Sequence, residues 1–163
     1  MKRYIIILVL TLIAVLKTFG QNENINVKTV HYKTDRFDIA IFPANYIDFI
    51  SGERFTPTKQ DIDKAEAALR TKLKELNKMQ INQHTTPIIH KKLKKYKRQY
   101  FGYIDSNGNK ILLINCFWYK DDDSKEKWLK DRIYAFDGGS YYWNVKFNLN
   151  TEDLFDLLIN GYA

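Results

Sequence analysis

Five apolar residues, Ile62, Ala65, Leu69, Leu73 and Leu76, recur at spacings of three and four within the stretch 59–79. That spacing puts them on one side of an α-helix, while Lys64, Arg70, Lys74, Glu75 and Lys78 fall off that side. One apolar stripe means one buried face, so the helix is expected to lie across a sheet supplied by the rest of the chain. Thr58 stands at the N-cap position and Asp61 follows three residues later. This is a capping-box arrangement with Asp where Glu or Gln is usual. The stripe is too short for coiled-coil association to be the expected use.

After Pro87 the pattern changes to period two. Strands are expected over 97–104, 111–118, 130–136 and 141–149. Asp105-Ser106-Asn107-Gly108-Asn109 links the first two, and Asn-Gly is a strong hairpin signal because its residues accept φ > 0. The stretch 111–118 is apolar on both parities except at Asn115, which predicts a central strand buried on both faces. Residues 120–127, KDDDSKEK, read as a charged loop, and Asp137-Gly138-Gly139-Ser140 as a second tight turn. The stretch 153–160 fits either a short helix or a strand, and the strand is preferred because it continues the meander and covers a sheet edge. Upstream, 27–32 and 37–42 are β-rich runs that suggest a hairpin closed by 33–36 and ended by Pro43. The expected class is α+β: one long amphipathic helix packed on a four- to five-stranded antiparallel meander, preceded by an N-terminal β-hairpin.

The first twenty residues have another character. Lys2 and Arg3 precede a twelve-residue apolar run, IIILVLTLIAVL, and Thr18-Phe19-Gly20 places small residues before Gln21. This order of charge, apolar run and small-residue site predicts a cleavable signal peptide over 1–20 and a single domain over 21–163. The run falls short of the ~20 residues that cross a bilayer. The expected location is therefore exported, periplasmic or extracellular. Cys116 is the only cysteine, so no internal disulfide can form, and its apolar neighbours predict a buried, inert thiol.

The full chain has 26 basic and 19 acidic residues, a net charge of +7. Without Lys2, Arg3 and Lys17 the balance is 23 to 19, or +4. Six of those cations, Lys91, Lys92, Lys94, Lys95, Lys97 and Arg98, lie in HKKLKKYKRQY, and without them the balance is 17 to 19. The chain is thus not basic overall but carries one basic segment. That segment is expected either to meet an anionic partner or to guard an edge strand against pairing with another sheet. The partner would be a membrane surface, an acidic glycan or an acidic patch on a protein. Export makes nucleic acid an unexpected partner.

A long helix followed by an antiparallel meander, ending in GGSYYWNVKFNLNTEDLFDLLINGYA, resembles the cystatin-like and NTF2-like α+β rolls found among small exported bacterial proteins. The resemblance implies a shape. The Gln-x-Val-x-Gly wedge of protease-inhibiting cystatins is absent from the chain, and such folds host many functions.

No HExxH, CxxC or GxSxG occurs, and His31, His84 and His90 form no i, i+3 or i+4 pair with one another. No cofactor, metal or catalytic residue is assigned. In an EF-hand register starting at Asp105, Lys110 and Cys116 occupy the glycine and glutamate positions, which disables calcium ligation. The aromatic residues of the expected sheet are the other signal. Tyr142, Trp143, Trp118 and Trp128 are candidate partner-binding residues, with ordinary core packing as the competing reading. The favoured function is a non-enzymatic binding module for a protein or anionic envelope component, possible inhibitors and immunity proteins included. The alternatives are a small enzyme or ligand carrier with a pocket between helix and sheet, using Asn115, His31 or Tyr134, and a subunit that adds its edge strand to a neighbour.

Overall fold

The computed structural model describes residues 28–118 and 127–162. The expected signal peptide, the start of the hairpin and nearly all of the 120–127 loop lie outside these residues. Among the described residues no helix is long and apolar enough to cross a membrane.

The fold is α+β, with one main helix and a seven-stranded mixed sheet. Strands β1 (Val30–Lys33), β2 (Asp38–Phe42) and β3 (Arg54–Phe55) precede helix α1 (Lys59–Leu76). Strands β4 (Lys97–Ile104) and β5 (Lys110–Phe117), a short helical turn α2 (Lys127–Lys130), and β6 (Tyr142–Asn148) and β7 (Asp153–Ile159) follow. The sheet order is β1-β2-β4-β5-β6-β7, with β3 also paired to β4.

Two expectations about the sheet are corrected. β1 and β2 do pair antiparallel, but over fewer residues than expected, and they are not a unit in front of the sheet. β2 joins β4 in parallel, Asp38 opposite Lys97 through Phe42 opposite Phe101. The sheet is therefore mixed and larger than a four- to five-stranded antiparallel meander, and β4 lies in its interior. β3 takes over beyond Phe42, pairing Phe55 with Gly102. A Cβ on Gly102 would stand 2.5 Å from the Phe55 carbonyl oxygen, so the close approach of β3 requires glycine there.

The second correction concerns 130–136, which is not a strand. Residues 128–137 instead run across the sheet face opposite α1. Gln99 Nε2 donates to the carbonyls of Trp128 and Asp131, and Gln99 Oε1 accepts from the Ile133 N–H. Asn115 Nδ2 donates to the Ile133 carbonyl and to Gln99 Oε1. Asn160 Nδ2 takes the carbonyls of Ala135 and Asp137. Side-chain amides thus satisfy backbone groups that a strand would satisfy by pairing, and so the ribbon can cross the strands.

The helix forms as its pattern predicts. Thr58 Oγ1 accepts from the Asp61 N–H, and Asp61 Oδ2 accepts from the Thr58 N–H. Ile62, Ala65, Leu69 and Leu73 are buried, whereas Leu76 is partly exposed at the frayed end of the stripe. They pack on Ile39, Ile41, Tyr100, Leu112, Ile114, Cys116, Val145 and Phe147, which fill the space between helix and sheet. The opposite parity of the same strands forms a second core of Phe42, Phe101, Leu113 and Phe117 under Trp128 and Ile133. This is why β5 is apolar on both faces. The C-terminal stretch is a strand, and an irregularity opposite Asn144–Lys146, with Asp156 at φ 49°, lets both Leu154 and Ile159 reach the helix-side core.

Two substitutions test this framework. Gln99→Met strands two carbonyls and an N–H beneath the crossing ribbon and is expected to cost about 2–4 kcal/mol in chemical denaturation. Gly102→Ala forces β3 off β4 and is expected to cost about 1–3 kcal/mol by the same measurement.

Candidate functional site: a basic groove at the end of the helix

The segment IHKKLKKY folds as two 3-10 turns, Ile89–Lys91 and Leu93–Lys95. Three apolar residues pin it down. Ile89 is fully buried, Leu93 packs at the margin of the helix-side core, and Tyr96 is buried with its hydroxyl donating to the Ser140 carbonyl. The side chains between these anchors face outward, which exposes Lys91, Lys92, Lys94 and Lys95.

These turns form one wall of a groove of about 670 Å³. Glu66, Leu69, Arg70 and Lys74, on successive turns of α1, form the other, and Arg36 closes one end from the β1–β2 turn. Among the described residues, seven Lys or Arg residues and His90 line the groove, against a single acid, Glu66. That acid is held from below. Glu66 Oε1 accepts from the Tyr100 hydroxyl at 2.6 Å and lies 3.3 Å from Arg98 Nη1. Arg98 is wholly buried, and its Nη2 donates to the Leu93 carbonyl at 2.7 Å. Burial, then the adjacent Glu66 carboxylate, holds the Tyr100 phenol well above its ordinary range. The buried pair therefore stays inside the fold, and the rim of the groove keeps its positive charge.

His90 lies in this cation-rich wall. Burial, and then the charges of Lys91 and Lys74, lower its pKa from 6.5. Its Nδ1 meets the Asn77 side-chain amide at 3.1 Å. Asn77 is also the C-cap of α1, so the groove and the helix end share one set of contacts.

The structure scatters the candidate residues named from the sequence. Lys91, Lys92, Lys94 and Lys95 come together on the groove. Lys97 does not join them and sits 5.0 Å from the Trp128 ring on the other face of the sheet. Arg98 is beneath the groove rather than on it. Trp143 and Trp128 are each 1% exposed, the first against Tyr96 and the second, at the start of the crossing ribbon, against Phe117, so neither offers a contact surface. Trp118 and Tyr142 are half-buried, Trp118 packing on Tyr96 and Tyr141. The tryptophans thus serve the cores, and the aromatic residues most exposed among the described ones are Phe49, Phe136 and Tyr134, none of them among the candidate partner-binding residues named from the sequence. The edge-guard reading of the lysines also loses its basis, because Lys91, Lys92, Lys94 and Lys95 precede β4, Lys97 opens it, and β4 has neighbours on both sides.

Of the residues considered for an internal pocket, Asn115 and Tyr134 both border a small cavity of about 60 Å³ beside the crossing ribbon, on the sheet face opposite α1, and His31 is not part of its lining. Asn115 is bound to Gln99 and the crossing ribbon, His31 Nε2 pairs with Asp38 on the outer hairpin, and the Tyr134 hydroxyl donates to Asp48 at an exposed corner. Burial pushes the Cys116 thiol well above its ordinary range. Among the described residues no group of three His, Cys, Asp or Glu side chains is placed to hold a metal ion.

Arg36, Glu66, Arg70, Lys74 and His90 belong to the groove and were not singled out from the sequence. Glu66, Arg70 and Lys74 do recur every four residues beside the apolar stripe, which marks one helical flank. Nothing local joins that flank to residues 90–95 or to Arg36.

No protein-family model matches the chain, and no curated protein or solved structure is significantly similar to it.

The depressed histidine has a consequence for stability. Its folded value lies below 6.5, so the unfolded chain takes up the proton first as pH falls. The contribution of His90 is complete above about 6.5 and declines as pH drops through that value toward the folded one. Denaturation midpoints of the wild type should therefore fall more steeply across this window than those of His90→Asn, which retains an acceptor for Asn77 and does not titrate.

Proposed function

We propose that this chain is an exported, non-enzymatic binding module that holds an anionic group of its partner in the groove between α1 and the 3-10 turns. One observation carries the reading: seven Lys and Arg residues converge on a concavity of about 670 Å³ whose only acid among the described residues is tied to a buried arginine. Like charges brought together repel, and water and salt relieve only part of that cost. An anion relieves the remainder, so the arrangement favours occupation by negative charge. The exposed lysines tolerate change because they contribute little to the core, whereas Ile89, Leu93 and Tyr96 hold them in place.

The tests are a sulfated glycan and vesicles of anionic lipid, each titrated against the protein at low and at physiological salt. Saturable binding that weakens with salt is expected. The combined variant Lys91→Glu, Lys92→Glu, Lys94→Glu and Lys95→Glu should bind about a hundredfold more weakly or worse, at roughly 1 kcal/mol per surface cation removed. Its thermal midpoint should stay close to that of the wild type. Absence of saturable binding to either probe at low salt would remove the proposal.

A further inference from the structure

The ring of His90 is oriented by a relay that begins at two backbone groups. The Ile89 N–H donates to Gln83 Oε1 at 2.9 Å, and Gln83 Nε2 donates to the Ile81 carbonyl at 3.2 Å. These bonds decide which end of the Gln83 amide is oxygen, because an N–H needs an acceptor and a carbonyl needs a donor. Gln83 then fixes Asn77. Gln83 Nε2 donates to Asn77 Oδ1 at 2.7 Å, and Asn77 Nδ2 donates to Gln83 Oε1 at 2.9 Å. Asn77 and Gln83 are 2% and 4% exposed, so water does not compete for these bonds.

Asn77 Nδ2 also meets His90 Nδ1 at 3.1 Å. An amide NH₂ only donates, so Nδ1 is the bare, accepting nitrogen and the ring proton sits on Nε2. Nδ1 points inward to a buried partner. Nε2 has no partner among the described residues, and the ring lines the groove.

We infer that the Nε2–H of His90 is the directional donor of the groove and that the group it receives is a phosphate, a role that rests on the groove's being an anion site. Five of the seven cations lining the groove are lysines. A lysine ammonium is a compact charge with three rotatable donors that meets phosphate oxygens as a point charge, and a phosphate group brings up to about two negative charges to this cation-rich lining where a carboxylate or sulfate ester brings one. Lysines alone attract phosphate without orienting it. A neutral imidazole fixed in one tautomer supplies a donor of set direction at no cost in added charge. The phosphate can be free in solution or carried on a lipid headgroup, since the donor meets the same oxygens in both.

The experiment has two readouts. In the wild type labelled with ¹⁵N-histidine, long-range ¹H–¹⁵N correlation should show His90 with an unprotonated Nδ1 and a protonated Nε2, and inorganic pyrophosphate should shift the Nε2–H resonance. A protonated Nδ1 would overturn the inference, whatever becomes of the variants. The second readout is affinity for pyrophosphate and for phosphatidylcholine vesicles containing phosphatidic acid. His90→Asn keeps a group for Asn77 but loses the outer donor, and should bind about tenfold more weakly. His90→Gln places an amide near the Nε2 position and should stay within about threefold of the wild type. Weakening in the pyrophosphate arm supports a soluble phosphate, and weakening in the vesicle arm alone supports a headgroup. If both phosphate probes bind and His90→Asn matches the wild type, this inference falls while the groove remains an anion site. If a sulfated glycan binds and neither phosphate probe does, the choice of phosphate is overturned. If no anion binds at all, both readings fall together.

Discussion

The parallel pairing of β2 with β4 is the constraint on which the rest of the structure depends. Two parallel neighbours cannot be joined by a tight turn, so the chain must leave the end of β2 and return to the end where β2 began. Helix α1 makes that return journey over one face of the sheet. The remaining residues between α1 and β4 must then be spent at the starting end, beside the β1–β2 turn. The 3-10 turns, the C-terminal half of α1 and Arg36 meet there for that reason. A purely antiparallel meander would leave the same lysines on an exposed edge with nothing facing them.

Much of the fold was legible because its signals are local. The capping box at Thr58 and Asp61, the stripe on α1, the Asn-Gly turn and the alternation through Trp143, Val145 and Phe147 each lie within a few residues of the structure they produce. The misread parts depend on partners distant in sequence. Residues 130–136 have strand-like composition, yet Gln99, Asn115 and Asn160 satisfy their backbone groups, and no pattern inside the segment reveals that. Asn115 was the one polar residue in an apolar strand, and its amide proved to be a clamp for that ribbon. The groove was half legible. Four lysines could be seen as a cluster, but Arg36, Glu66 and Lys74 join them only through the crossover. The buried tryptophans show the converse error, since aromatic surplus in a two-sided sheet goes first into its two cores.

The energetics of the groove turn on how Glu66 and Arg98 are divided between fold and surface. A buried ion pair contributes little net stability, because desolvation offsets most of the Coulomb attraction. Its effect here is one of position. Among the described residues Glu66 is the groove's only acid, and with its near oxygen held by Tyr100 and facing Arg98 it cannot swing out to pair with Lys91 or Lys94. The α1 C-terminus, with its partial negative charge, offsets some of the repulsion near Lys74 but falls off within a turn. The lysines of the 3-10 turns lie on the far wall and receive less of that relief.

Rigidity and charge are therefore supplied by different residues. Ile89, Leu93 and Tyr96 fix the backbone of the turns, and the Gln83–Asn77 amide pair ties those turns to the end of the helix. The ammonium groups sit on flexible stems above this base, where they could adjust to the anion proposed as the groove's occupant. Such a division would lower the ordering cost of the proposed binding, since the backbone is already placed and only side-chain freedom is lost. It also separates the effects of mutation. Removing a lysine weakens attraction and leaves the wall standing, whereas removing Asn77 or Gln83 releases the wall from the helix and disturbs every group upon it.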